Sequence, residues 1–116
     1  MKVTIFHNPR CSKSRQTLAL LEARGINPEV VRYLDNPPDV DLLRSLLGKL
    51  GLSARDLLRT GEDEYRAMDL GRPGAGEDEL IEAMAAHPAL IQRPIVVAGA
   101  KARIGRPPEA VLEILP

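Results

Sequence analysis

The chain holds one cysteine, Cys11, and the residues around it are of types that do thiol chemistry. His7, Asn8, Pro9 and Arg10 precede it, and Ser12, Lys13, Ser14 and Arg15 follow. A β-branched run at Val3–Phe6 leads into a Pro turn, and a helical pattern opens at Ser12, so Cys11 is expected at a helix start. Free N–H groups and the helix dipole at such a point favour an anion. They can bring a thiol from a pKa of ~8.5 into the range ~3.5–7.5. Arg10, Lys13 and Arg15 push the same way. Ser12 and Ser14 offer hydroxyls to the sulfur, and His7 either lowers the thiol pKa or caps the loop. The same N–H groups would hold a tetrahedral oxyanion over the sulfur. The segment therefore suits an activated thiolate attacking an anionic substrate. The plain alternative is an inert buried thiol, but a Pro turn, bases and hydroxyls are poor company for a core position.

The charges are unevenly placed. Residues 1–15 carry Lys2, Arg10, Lys13 and Arg15 without an acid, and residues 93–106 carry Arg93, Lys101, Arg103 and Arg106 without one. Between them, residues 62–82 hold eight acids against Arg66 and Arg72. If the fold joins the two basic segments, they make one positive site. The net charge is zero, which disfavours a general nucleic-acid or membrane-surface binder. With one cysteine, a disulfide framework, a four-cysteine zinc site and an internal dithiol relay are all excluded. The opening MKVTIFHNPR does not read as a signal peptide, and no apolar run is long enough to span a membrane. A cytoplasmic location is the expectation.

The elements that must position Cys11 follow from periodicity. After the strand at Val3–Phe6, the helix from Ser12 has Leu18, Leu20 and Leu21 as its apolar face and Gly25 as its stop. Glu29–Tyr33 reads as a second strand, and Asp39 caps a helix carrying Leu42, Leu43, Leu46, Leu47 and Leu50. Ser53–Asp56 resembles a helix start, Glu64–Met68 a short helix and Glu77–Ala86 a longer one closed by Pro88. Ile95–Ala98 and Lys101–Ile104 form a hairpin around Gly99-Ala100, and Glu109–Leu115 a last short helix. The expected architecture is α/β: a mixed four-stranded sheet with flanking helices and an all-helical subdomain packed on one side. The chain reads as a single domain, 1–116, with a sheet-bearing core at about 1–36 and 92–116 and a helical insertion at about 37–91.

His7-x-x-x-Cys11-x-x-x-Arg15 resembles the signature of the glutaredoxin-coupled arsenate reductases. So do the blocks Tyr33–Pro38, Leu57–Arg59, His87–Val97 and Arg103–Glu109, in the same order, so the likeness covers essentially the whole chain. The resemblance implies a thioredoxin-like fold with a helical insertion. It implies that Cys11 is the catalytic nucleophile within a set including His7, Ser14 and Arg15. Arg59, Arg93 and Arg106 match oxyanion-binding arginines, and Pro94 matches a structural cis-proline facing the cysteine. Gly105 stands where some family members carry cysteine, leaving Cys11 the sole thiol.

The function so implied is reduction of arsenate to arsenite by a single catalytic cysteine. Glutathione is the co-substrate and a glutaredoxin the partner, since no second cysteine is present to resolve the adduct. No bound cofactor, metal, nucleic acid or membrane is expected, and the protein is expected to be a monomer. Two other readings stand beside it. One is a glutathione-dependent thiol oxidoreductase of the same fold acting on another oxyanion. The other is a redox-responsive RNA polymerase-binding regulator, which the Ser at position 14 disfavours because such proteins carry a Cys-x-x-Cys pair.

Overall fold

A computed structural model describes residues 2–115; Met1 and Pro116 lie outside the described residues. The chain divides into two compact units, one running to Asn36 and resuming at Arg93, the other spanning Pro37–Gln92.

The first unit is built on a four-stranded sheet. Its strands are β1 (Val3–Phe6), β2 (Glu29–Val31), β3 (Ile95–Ala98) and β4 (Lys101–Ile104), in the order β2-β1-β3-β4. β1 pairs in parallel with β2 and antiparallel with β3, and β3 with β4 is the antiparallel hairpin turning at Gly99-Ala100. Gly99 has φ +64°, a left-handed conformation that glycine adopts without a Cβ penalty. Helix α1 (Ser12–Ala23) follows β1, and its end is closed by Gly25 at φ +76°. There the Gly25 N–H donates to the Glu22 carbonyl and the Ile26 N–H to the Leu21 carbonyl, while Ile26 packs on the core. Val3, Ile5, Leu21, Val96, Ala98 and Val111 form that core, with Leu18, Leu20 and Ile114 half-buried around it. The terminal helix is a 3-10 turn over Pro108–Ile114.

Two local expectations shift. β2 ends at Val31 because the chain turns: the Asp35 and Asn36 N–H groups both donate to the Arg32 carbonyl, leaving Tyr33 buried but outside the sheet. The buried face of α1 is Ser14, Thr17 and Leu21, with Leu18 and Leu20 at its margins. The two hydroxyl residues are inside because hydrogen bonds satisfy them, which hydrophobic periodicity does not register.

The second unit is helical: α2 (Val40–Leu50), α3 (Ala54–Leu57), α4 (Asp63–Ala67), α5 (Glu77–Ala86) and a 3-10 turn at Pro88–Leu90. The Asp39 side chain accepts from the Leu42 N–H at 2.8 Å, as an N-cap should. Ser53 and Asp56 close α3 with a reciprocal capping box. α2 buries Leu43, Leu46 and Leu47, and α5 buries Leu80, Ile81 and Met84. Leu42 stays exposed, at the edge of the α2 apolar stripe. Gln92 falls in this unit and not with the sheet: its N–H donates to the Leu57 carbonyl and its side-chain amide to the Leu58 carbonyl. No helix among the described residues is long and apolar enough to cross a membrane.

Candidate active site

Cys11 is the N-cap residue of α1, held in extended backbone geometry at φ −94°, ψ 122°. The loop that delivers it is tied at every residue. The His7 N–H donates to the Val31 carbonyl at 2.8 Å, which anchors the end of β1 to β2. The Arg10 N–H donates to Asn8 Oδ1 at 3.0 Å and the Cys11 N–H to the Asn8 carbonyl at 3.0 Å, so Asn8 folds the turn around itself. Arg15 reaches back and donates from Nη1 to the Pro9 carbonyl at 2.9 Å. Its guanidinium therefore fastens the loop.

His7, Asn8 and Ser14 are all buried beneath this loop. The Ser14 hydroxyl lies 2.6 Å from His7 Nδ1 and accepts the Asn8 N–H at 3.0 Å. It does not bond the sulfur, the role the sequence allows it. What Ser14 brings to Cys11 is its backbone N–H. His7 shares the Ser14 hydroxyl and is tied into the loop by it. Burial first, then the charges of Arg32 and Arg15, hold its imidazole below the usual histidine range, so it is neutral near pH 7. A neutral imidazole bonded to Ser14 fastens the loop and adds no positive charge beside the thiol.

Positive charge comes from the other basic segment. Arg106 Nη2 lies 3.7 Å from Cys11 Sγ, and Arg106 Nε donates to the Arg93 carbonyl at 2.8 Å. The Arg93 guanidinium also faces the sulfur. Burial pushes the Cys11 thiol up, but the Ser14 N–H, the Arg93 guanidinium and the Lys13 N–H outweigh it and leave the thiol below its ordinary value. Of the other bases in the two segments, Lys2 pairs with Glu29, Arg103 with Glu113, and Arg15 bonds the Pro9 carbonyl. The fold thus joins the two basic segments, and it does so through Arg93 and Arg106.

Arg93 carries a second feature. Its Nε is buried and has no hydrogen-bond partner among the described residues. A buried donor left unpaired costs about 1–3 kcal/mol, so this N–H is set for an acceptor. The Arg93–Pro94 peptide bond is cis, as the resemblance implies for Pro94; Arg106–Pro107 is cis as well. Arg59 lies in the helical unit just past α3. Its N–H donates to the Leu90 carbonyl at 2.7 Å and its Nε to Glu62 at 3.4 Å. No group of three or more His, Cys, Asp or Glu among the described residues is placed to hold a metal ion.

Chemically, the site is an acidified thiol at a helix N-terminus with two guanidiniums converging on it, one of them with an unpaired buried donor. It can attack an electrophilic centre that carries negatively charged oxygens.

The chain matches the profile of the ArsC family over residues 6–114. It is 56% identical to an uncharacterized protein of Escherichia coli strain K12, YfgD, over 98% of this chain and 97% of that one. It is 52% identical to a protein named arsenate reductase from Neisseria meningitidis serogroup A, over 98% of each chain. Among solved structures, an arsenate reductase from Vibrio cholerae superposes with a TM-score of 0.97 at 53% identity, covering 99% of this chain and 98% of that one.

Proposed function

The chain belongs to the ArsC family, and on that premise we propose that it reduces arsenate to arsenite at Cys11, with glutathione and a glutaredoxin completing the turnover. The observation that carries the reading is the convergence on one sulfur of Arg106, 3.7 Å away, and Arg93, whose buried Nε has no hydrogen-bond partner among the described residues. A tetrahedral oxyanion supplies the acceptors these donors need, and two planar forks grip its oxygens with charge-assisted bonds.

The steps follow from this arrangement. The Cys11 thiolate attacks arsenic, a sulfur–arsenic bond forms, and an arsenate oxygen leaves as water after protonation. The arginines hold the charge of the adduct oxygens. Glutathione then bonds to arsenic through its sulfur and a second water leaves. A glutaredoxin thiolate attacks the glutathione sulfur. The arsenic–glutathione bond breaks with its electron pair staying on arsenic, which passes from the pentavalent to the trivalent state. The glutathione sulfur is oxidised into a mixed disulfide with glutaredoxin. Hydrolysis of the remaining bond frees arsenite and restores the Cys11 thiol. This sequence needs no bound cofactor and suits a monomer in the reducing cytoplasm.

The experiment is direct. Purified protein given arsenate, glutathione and glutaredoxin should release arsenite, and omission of either thiol component should stop it. Arsenite release that needs neither, or no release with all present, would refute the reading.

A further inference from the structure

We infer that Gly105 is the positioning residue that sets Arg106 on the Cys11 sulfur, with Thr17 and Pro94 as the surfaces that, in this chain, leave no room for a Cβ there. This rests on the reading of Cys11 as the reacting thiol and Arg106 as part of its oxyanion clamp. Arg106 follows β4 directly after Gly105, and the backbone at that point is pressed between α1 and the Arg93-Pro94 segment. The Gly105 N–H donates to the Pro94 carbonyl at 2.9 Å, so the two segments lie side by side. A Cβ at position 105 would come 2.5 Å from Thr17 Oγ1, 2.9 Å from Pro94 Cγ and 3.2 Å from Thr17 Cγ2. Atoms that close cannot be accommodated without movement.

Neither neighbour yields easily. Thr17 is fully buried, and its hydroxyl donates to the Lys13 carbonyl at 2.8 Å, which fixes its rotamer within α1. Pro94 Cγ belongs to a closed ring. The part free to move is the stretch carrying Arg106, whose guanidinium lies exposed apart from its contacts with the Arg93 carbonyl and the sulfur. A side chain at 105 would push that stretch outward and carry the guanidinium away from Sγ. Gly105 is therefore more than a position where a second thiol is absent. The close approach it permits determines the distance between the clamp and the nucleophile.

Three variants test this: G105A, T17A and the double variant T17A/G105A, with R106A as reference. The readouts are the thiol pKa of Cys11, from ultraviolet absorbance of the thiolate, and the steady-state constants for arsenate. G105A should raise the thiol pKa in the same direction as R106A and raise KM about tenfold, with a smaller change in kcat. T17A alone should leave both near the parent. T17A/G105A should recover part of the loss, because removing Oγ1 and Cγ2 opens space on the α1 side into which the new Cβ can shift away from Pro94 Cγ. A folded G105A with parental thiol pKa and KM overturns the inference, and so does a double variant as impaired as G105A. If G105A does not fold, a folded double variant with constants closer to the parent's than to R106A's sustains the inference; one no better than R106A, or one that also fails to fold, overturns it. R106A separates the two levels: if it leaves the thiol pKa and KM unchanged, the reading of the clamp itself fails. If R106A shifts them and G105A does not, only the role of Gly105 fails.

Discussion

Arg106 Nη2 stands 3.7 Å from Cys11 Sγ, across a separation of 95 residues in sequence. The same guanidinium donates from Nε to the Arg93 carbonyl, so it is oriented by the residue whose own side chain faces the sulfur. One contact thus links the helix N-terminus, the segment before β3 and the segment after β4.

From this contact, Arg106→Ala should raise the thiol pKa and weaken arsenate binding. A charge-assisted hydrogen bond is worth about 1.5–3 kcal/mol, which corresponds to a KM increase of roughly ten- to a hundredfold. Arg106→Lys should recover little of it, since an ammonium cannot bond the Arg93 carbonyl and an oxyanion with one fixed fork. Steady-state kinetics on the two variants check this. A lysine variant equal to the parent would show that charge alone suffices.

Ser14→Ala should destabilise the protein without touching the sulfur directly. It leaves His7 Nδ1 and the Asn8 N–H without the partner they share, both in buried residues. The loss should be about 1–3 kcal/mol in denaturant unfolding. The Cys11 thiol should also become less acidic as the loop slackens. Unchanged stability would mean that the buried network contributes nothing to the fold.

Stability should fall on mild acidification, and His7 should be part of the cause. Its folded pKa lies below the ordinary value, so between about pH 6.5 and that lower value the unfolded chain takes up a proton that the folded chain refuses. The unfolded state binds more protons there, and stability drops as pH falls through the window. Cys11 acts in the same sense at higher pH: its depressed pKa stabilises the fold above the ordinary thiol value and loses that effect as pH falls through the folded value. Measured in a Cys11→Ser background, where only the imidazole contributes, His7→Asn should flatten the decline in unfolding midpoint between pH 7 and pH 5. An equally steep decline would assign it to other groups.

Much of this architecture is legible in the sequence where the signal is local. The hairpin shows in the β-branched run Ile95-Val96-Val97 and the Gly99-Ala100 turn after it, and α5 in Leu80, Ile81 and Met84 between acids and Pro88. Cys11 at a helix start is legible for the same reason: strand, Pro turn and helical spacing are adjacent. The buried face of α1 is not, because Ser14 and Thr17 enter the interior through hydrogen bonds that leave no hydrophobic period. The turn after Val31 is set by the Arg32 carbonyl accepting two N–H groups, which no residue type announces. Gly105 looks like a mere absence of side chain until Thr17 and Pro94 are seen against it. The division of labour between Ser14's hydroxyl and its N–H likewise depends on where His7 sits.

The measurement that reaches the central claim most directly is the pH dependence of Cys11 alkylation, followed by mass spectrometry with and without arsenate. The account predicts a titration midpoint below the ordinary value of a free cysteine, and slower alkylation when arsenate occupies the clamp. A midpoint at or above the value for free cysteine, with no protection by arsenate, would contradict it.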